Sequence, residues 1–102
     1  FQPHRYSRVK SLKKEFASSF KLSNEVLLCP VFAAGEKVDN NFSQDYFSQL
    51  ISRKSRTQVI NVKNQNELKN FFKKNLFDDE MVICMGAGSI SNWIREIGNE
   101  LK

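Results

Sequence analysis

The chain has little of what several function classes need. No apolar run is long enough to cross a bilayer or to form the apolar centre of a signal peptide, so no membrane role is expected. There are only two cysteines, Cys29 and Cys84, and a single histidine, His4. Without CxxC spacing or companion histidines, no zinc or other metal site is expected. Both cysteines fall in apolar runs with no activating neighbour, and they read as buried reduced thiols of a cytosolic protein. Neither GxxxxGKS nor GxxxxGKT occurs, so the chain carries no recognisable phosphate loop for ATP. No internal repeat, low-complexity tract or linker divides the 102 residues, which read as one domain over 1–102.

Acidic residues are scarce where basic ones collect. The net charge is +5, and the early excess is Arg5, Arg8, Lys10, Lys13, Lys14 and Lys21 against Glu15 alone. Nucleic acid is the first suspicion for such a balance. The lysines, however, are spread around a helix and its end, and a solvated helix face is the commoner meaning of that pattern. No nucleic-acid partner is expected on this ground.

Apolar periodicity gives the architecture. Val9, Leu12, Phe16 and Phe20 recur at helical spacing and predict an amphipathic helix over 8–20, with Ser7 as its N-cap. Residues 25–32 form a continuous apolar run like a buried parallel strand, ended or pushed to an edge by Pro30. Ser43 can cap a helix over 44–55 with Phe47, Leu50 and Ile51 inward. Residues 57–62 predict a second strand. Asn64 and Glu67 stand at capping-box spacing before a helix over 65–76 that buries Leu68, Phe71, Phe72 and Leu76. Asp78, Asp79 and Glu80 read as a solvated turn. Residues 81–85 predict a third strand, and Gly86-Ala87-Gly88 turns into a last helix carrying Ile90, Trp93, Ile94, Ile97 and Leu101 on one face.

This alternation predicts an α/β domain with a mostly parallel sheet and helices on both faces. Three strands are few for such a sheet. The chain also lacks an initial Met and opens in a loop, so a fragment without the first strands of its domain is expected.

Ligands of parallel α/β sheets bind beyond the carboxyl ends of the strands. Three loops should share that edge: residues 2–7, residues 33–37 and residues 86–89. Gly86-Ala87-Gly88 begins a dinucleotide-binding pattern, but Ser91 stands where the third small residue belongs, and no strand follows to supply a ribose contact. A tight strand-to-helix turn is the plainer meaning. His4 could donate to a carboxylate or simply make one loop hydrogen bond. Glu36 and Lys37 read as solvated unless their loop closes over a ligand, and Tyr6 is equally a packing residue or a contact.

The octet Phe1-Gln2-Pro3-His4-Arg5-Tyr6-Ser7-Arg8 is the most distinctive stretch. Pro3 breaks regular structure, and Arg5 and Arg8 sit at a predicted helix start, where cations oppose the helix dipole and acids would be favoured. Two guanidinium forks there suit carboxylate or phosphate oxygens, although two solvated surface arginines are the bland alternative.

The octet resembles the signature of the carboxyl-terminal domain of the Mur ligase family, in the branch that joins L-alanine to UDP-N-acetylmuramate. Ala33-Ala34-Gly35-Glu36-Lys37 and Gly86-Ala87-Gly88 are similar in the expected order, so the resemblance covers essentially the whole chain. It implies a Rossmann-like three-layer domain of a bacterial, cytoplasmic, ATP-dependent ligase of peptidoglycan biosynthesis, serving cell-wall biogenesis, cell shape and cell division. Such a domain swings in to deliver the amino acid. ATP, Mg2+ and the UDP-sugar are held by amino-terminal and central domains outside this sequence. The resemblance implies that His4, Arg5 and Arg8 bind substrate, with Tyr6, Gly35, Glu36, Gly86 and Gly88 shaping the cleft and no catalytic nucleophile among them. It also implies that the family's Asp-Asp-Tyr-Gly-His-His-Pro segment lies upstream, leaving this stretch inactive alone. A related ligase that attaches a peptide instead, or a free-standing nucleotide- or nucleic-acid-binding module, remains an alternative reading.

Overall fold

The computed structural model describes residues 1–101. Its elements run α1 (Tyr6–Ser11), α2 (Lys13–Ala17), β1 (Glu25–Leu28), α3 (Gln44–Ser55), β2 (Gln58–Asn61), α4 (Gln65–Asn75) and α5 (Ile90–Glu100). β1 and β2 pair in parallel with Val26 opposite Val59, making a two-stranded sheet. The fold is therefore α/β with a small parallel sheet.

Side-chain alternation along β1 creates two cores. Val26 and Leu28 point to one face, where Val9, Ala17, Phe20, Phe47, Leu50 and Ile51 bury themselves. Leu27 and Cys29 point to the other, against Val62, Leu68, Phe72, Ile90 and Ile97. Helices thus cover both faces of the strand, as a buried parallel strand requires.

Helix starts follow local chemistry. Ser43 Oγ accepts from the Tyr46 N–H at 3.1 Å and opens α3. Asn64 Oδ1 accepts from the Glu67 N–H at 2.9 Å and opens α4, while Glu67 Oε2 reaches back to the Lys63 N–H at 2.8 Å. The capping box is thus closed one residue earlier than its usual form. α3 ends where Arg56 turns left-handed at φ 53°.

Several expectations are corrected. The helix over 8–20 is two short helices meeting at Leu12, which departs to φ −115°, ψ 22°. The i→i−4 bonds nevertheless continue through Leu12, from its N–H to Arg8 and from Phe16 back to it. The bend leaves Leu12 42% exposed instead of inward. Ser7 is not the N-cap; that position is Arg5, which makes no side-chain cap bond.

Residues 81–85 form no strand. Among the described residues the segment makes a single long-range backbone bond, from the Gln2 N–H to Met85 C=O, and a strand needs a ladder, not a single rung. Cys84 is consequently exposed, whereas Cys29 is buried and its thiol is pushed up from the ordinary range by that burial. Leu76 and Leu101 are also exposed, because each stands just past the end of its helix. The Rossmann-like sheet expected from the resemblance is thus represented by two strands.

Candidate functional site

β1 extends past Leu28 by pairing with the start of the chain. The Phe1 ammonium donates to Leu27 C=O at 2.8 Å, the Cys29 N–H to Phe1 C=O at 2.9 Å, and the Phe32 N–H to Pro3 C=O at 2.8 Å. His4 and Phe32 form a parallel bridge, and the Arg5 N–H donates to Phe32 C=O at 2.8 Å. The octet therefore begins as an extended strip beside β1 and stops at the carboxyl end of the sheet.

Arg5 makes the switch to helix in a single residue. Its N–H ends the strip and its C=O accepts from the Val9 N–H to start α1. Serving both sets its φ to 67° and ψ to 130°, a conformation that costs a non-glycine residue about 1–3 kcal/mol. The Arg5 and Arg8 side chains are exposed, and neither joins an ion pair among the described residues.

The loop over 33–37 closes onto the octet. Ala34 and Gly35 take φ of 53° and 89° in succession, and the Glu36 N–H donates to Ala33 C=O at 3.1 Å. This is the pattern of a type I′ turn, whose second central position suits glycine. The turn brings Glu36 back to Ser7. The Ser7 hydroxyl donates to Glu36 Oε2 at 2.5 Å and the Ser7 N–H approaches Oε1 at 3.4 Å. That hydroxyl bond, with backbone donors of Ser7 and Tyr6 and the Arg5 charge, holds the Glu36 carboxyl below its ordinary range. The Ser7 backbone donor at the start of α1 thus faces an internal carboxylate. Lys10 pairs with Asp39 farther along the same loop and lowers its carboxyl likewise.

The loop over 86–89 meets the octet from the other side through Gln2. Gln2 is buried, and its side chain is spent on the start of α5. Its Oε1 accepts from the Ile90 N–H and its Nε2 donates to Ser89 Oγ, both at 3.0 Å. α5 has no side-chain cap of its own, so Gln2 serves as one from 88 residues away. A side chain at either glycine here would force its neighbours to shift. A Cβ on Gly86 would stand 3.0 Å from Gln2 O, and one on Gly88 would stand 2.4 Å from Cγ of Phe32.

His4 lies between these loops, half-buried and stacked on Phe32 with ring centroids 5.7 Å apart. Its Nδ1 is buried without a hydrogen-bond partner, and a buried polar atom of that kind needs an explanation. Tyr6 turns away to pack edge-on against Phe42 at 5.6 Å, so its ring is a packing element here. Among the described residues, no three His, Cys, Asp or Glu side chains gather to hold a metal ion. Glu80 of the acidic turn accepts from the nearby Phe77 N–H at 2.8 Å.

The three loops expected at one edge are thus joined by hydrogen bonds, with the octet in the middle. Sequence reasoning singled out Glu36 but missed three other members that do the joining: Gln2, Phe32 and Ser89. None carries a periodic or charge signal. Phe32 could have been suspected as the aromatic residue directly before a glycine-containing loop.

The basic surface is partly spent internally. Lys10 is paired with Asp39, and the Lys13 ammonium sits 5.2 Å from the centroid of the Tyr46 ring. No helix among the described residues is long and apolar enough to cross a membrane.

No protein-family model matches the chain. Individual relatives match it along nearly its whole length. UDP-N-acetylmuramate–L-alanine ligase of Pelagibacter ubique is 44% identical over 97 residues, covering 95% of this chain and 21% of the relative. The ligase of the same name from Fusobacterium nucleatum is 39% identical over 104 residues, covering 100% of this chain and 21% of the relative. That of a Bradyrhizobium species is 32% identical over 101 residues, covering 99% and 22%. The chain spans about a fifth of the length of these relatives. Matched end to end at these identities, the chain is similar to a fragment of the UDP-N-acetylmuramate–L-alanine ligases.

Proposed function

We propose that this chain is the amino-acid-delivery, carboxyl-terminal domain of a cytoplasmic ATP-dependent ligase that joins L-alanine to UDP-N-acetylmuramate. The observation that carries the reading is the octet's position. It stands at the carboxyl end of the parallel strands between two hydrogen-bonded loops, and among the described residues Arg5 and Arg8 join no ion pair and His4 Nδ1 has no hydrogen-bond partner.

In this reading the other domains would hold ATP and Mg2+, which would supply the phosphoryl group and the charge neutralisation for turning the sugar's lactyl carboxylate into an acyl phosphate. The alanine amine attacks that carbonyl, and the tetrahedral adduct collapses to amide and phosphate. The task left to this chain is orientation and charge stabilisation, which needs no nucleophile. Arg5 and Arg8 supply planar donors for the alanine carboxylate and the anionic centre, and the His4 ring completes the edge. Gly35, Glu36, Gly86 and Gly88 hold the loops in shape. Among the described residues, the acidic turn and the loops do not bring together three His, Cys, Asp or Glu side chains for a metal ion.

The test is phosphate release from ATP by the full-length gene product given UDP-N-acetylmuramate and magnesium. Turnover that requires L-alanine is expected, and Arg5→Ala or Arg8→Ala should lower it far more than Lys13→Ala. Turnover with a peptide but not with alanine would replace the substrate assignment. Equal effects of the three substitutions would remove the site assignment.

A further inference from the structure

α2 and α3 both pack on the Val26 face of the sheet, and a groove of about 490 Å³ lies between them. Leu50 is buried at its floor, with Lys13, Lys14, Tyr46, Arg53 and Lys54 around it. The lining thus holds four cations and no acid. Among the described residues the ion pairs are Lys10 with Asp39 and Lys69 with Glu100, so none of these four is paired. The Lys13 ammonium sits 5.2 Å from the centroid of the Tyr46 ring, which orients it without cancelling its charge. In the sequence the early lysines read as spread around one helix and its end. The fold instead gathers two of them with two cations of a second helix.

Helix electrostatics account for only part of the cluster. Arg53 and Lys54 lie in the last turn of α3, where the dipole favours cations. That argument does not extend to Lys13 and Lys14, the first two residues of α2. A merely solvated face mixes both signs, whereas like charges crowded in one groove repel each other until an anion enters. The groove also sets the form of that anion. Its volume is that of a site for one small molecule. Arg53 offers a planar fork and the lysines offer point charges, a donor set suited to several phosphate groups together. A nucleic-acid strand needs a positive track over several nucleotides. No such track continues here, since Lys10 is spent on Asp39, and the exposed acids Glu15 and Asp45 adjoin Lys14 and Tyr46 in the chain.

We propose that the groove between α2 and α3 is a further binding site, for a compact polyphosphate, either free or carried by a nucleotide. Lys13, Lys14, Arg53 and Lys54 hold its phosphates, and Tyr46 keeps Lys13 in place. The groove shares no residue with the octet or with the loops over 33–37 and 86–89. The inference therefore stands whether or not the ligase reading does.

The experiment is amine footprinting of the full-length protein, with the acetylation rate of each lysine read by mass spectrometry of its peptide. Reading lysines one by one keeps any other phosphate site of the protein out of the result. Saturating inorganic tripolyphosphate or ATP is expected to slow Lys13, Lys14 and Lys54 by about five-fold or more. Lys74, on α4 at the other face of the sheet, should be unchanged. Protection by either probe supports the proposal, and the one effective at lower concentration names the source of the phosphates. Arg53→Gln, at an exposed position, should raise the concentration for half protection about ten-fold, and Arg53→Lys should recover part of that loss. No slowing, or equal slowing at Lys74, would overturn the proposal. Orthophosphate acting at the same concentration as tripolyphosphate would overturn it too, as would unchanged protection in Arg53→Gln. Oligothymidylate acting at a lower phosphate concentration than either probe would assign the groove to nucleic acid and overturn it equally.

Discussion

The contact between Gly88 and Phe32 allows a sharp test of how the site edge is built. A Cβ on Gly88 would lie 2.4 Å from Phe32 Cγ and 2.7 Å from its Cβ and Cδ1. Ordinary carbon contacts are near 3.5 Å, so Phe32 would have to retreat by about 1 Å. Its backbone cannot follow freely, because its N–H and C=O are bonded to Pro3 and Arg5. The ring would instead leave its stack on His4. Gly88→Ala in the full-length protein should therefore cost about 1–3 kcal/mol, the usual range for overpacking. The assay is urea denaturation followed by a probe on this domain, repeated in a Phe32→Gly background. Phe32→Ala would be an incomplete control, since the Cβ contact survives it. With the whole side chain gone, Gly88→Ala should cost less than about 0.5 kcal/mol, which makes the coupling nearly equal to the single-site cost. Equal costs in the two backgrounds would refute the steric argument, and so would a free substitution in the parent.

Three further outcomes follow from the same geometry. Gln2→Leu leaves the Ile90 N–H buried without an acceptor and should cost about 1–3 kcal/mol in urea denaturation, with Gln2→Glu less damaging because it keeps the acceptor. Arg5→Gly should raise stability by about 1 kcal/mol or more while lowering ligase turnover, whereas Arg5→Ala should lower turnover without the gain, because only glycine relieves a φ of 67°. The Glu36 carboxyl is held below its ordinary 4.5, so its contribution is complete above that pH and is lost as pH falls through the lowered value. Ser7→Ala removes the largest of the interactions that lower Glu36 and should weaken that acid dependence of the loop over 33–37, as followed by amide shifts of Glu36 and Lys37.

Much of the fold was legible because the chemistry that sets it is local. Ser43 and Asn64 cap the helices that their positions predict, and Phe47, Leu50, Ile51 and Leu68 are buried at helical spacing. Pro30 lies beyond the end of β1, as its missing donor requires. What failed depends on partners. Residues 81–85 have a strand's composition but not its neighbours, and a strand is a property of a ladder. The bend at Leu12 involves neither proline nor glycine, so periodicity could not show it. The loops over 2–7, 33–37 and 86–89 were placed on one edge by topology alone. Their joining members were not visible, since the glutamine at position 2 gains its role only from Ile90.

The Gln2 clamp also bears on the order of folding. It joins residues 88 apart in sequence, while the caps of α3 and α4 join residues three apart. Closing a long loop costs entropy before any bond repays it, so contacts of this span form late and limit the rate. The helices on either side of β1 can therefore be largely in place before α5 is fastened to the octet. The same ordering makes the octet edge the part that opens at least cost in the finished protein. If the proposed function holds, a small substrate would enter and leave at that edge while the cores stay shut and the loops part.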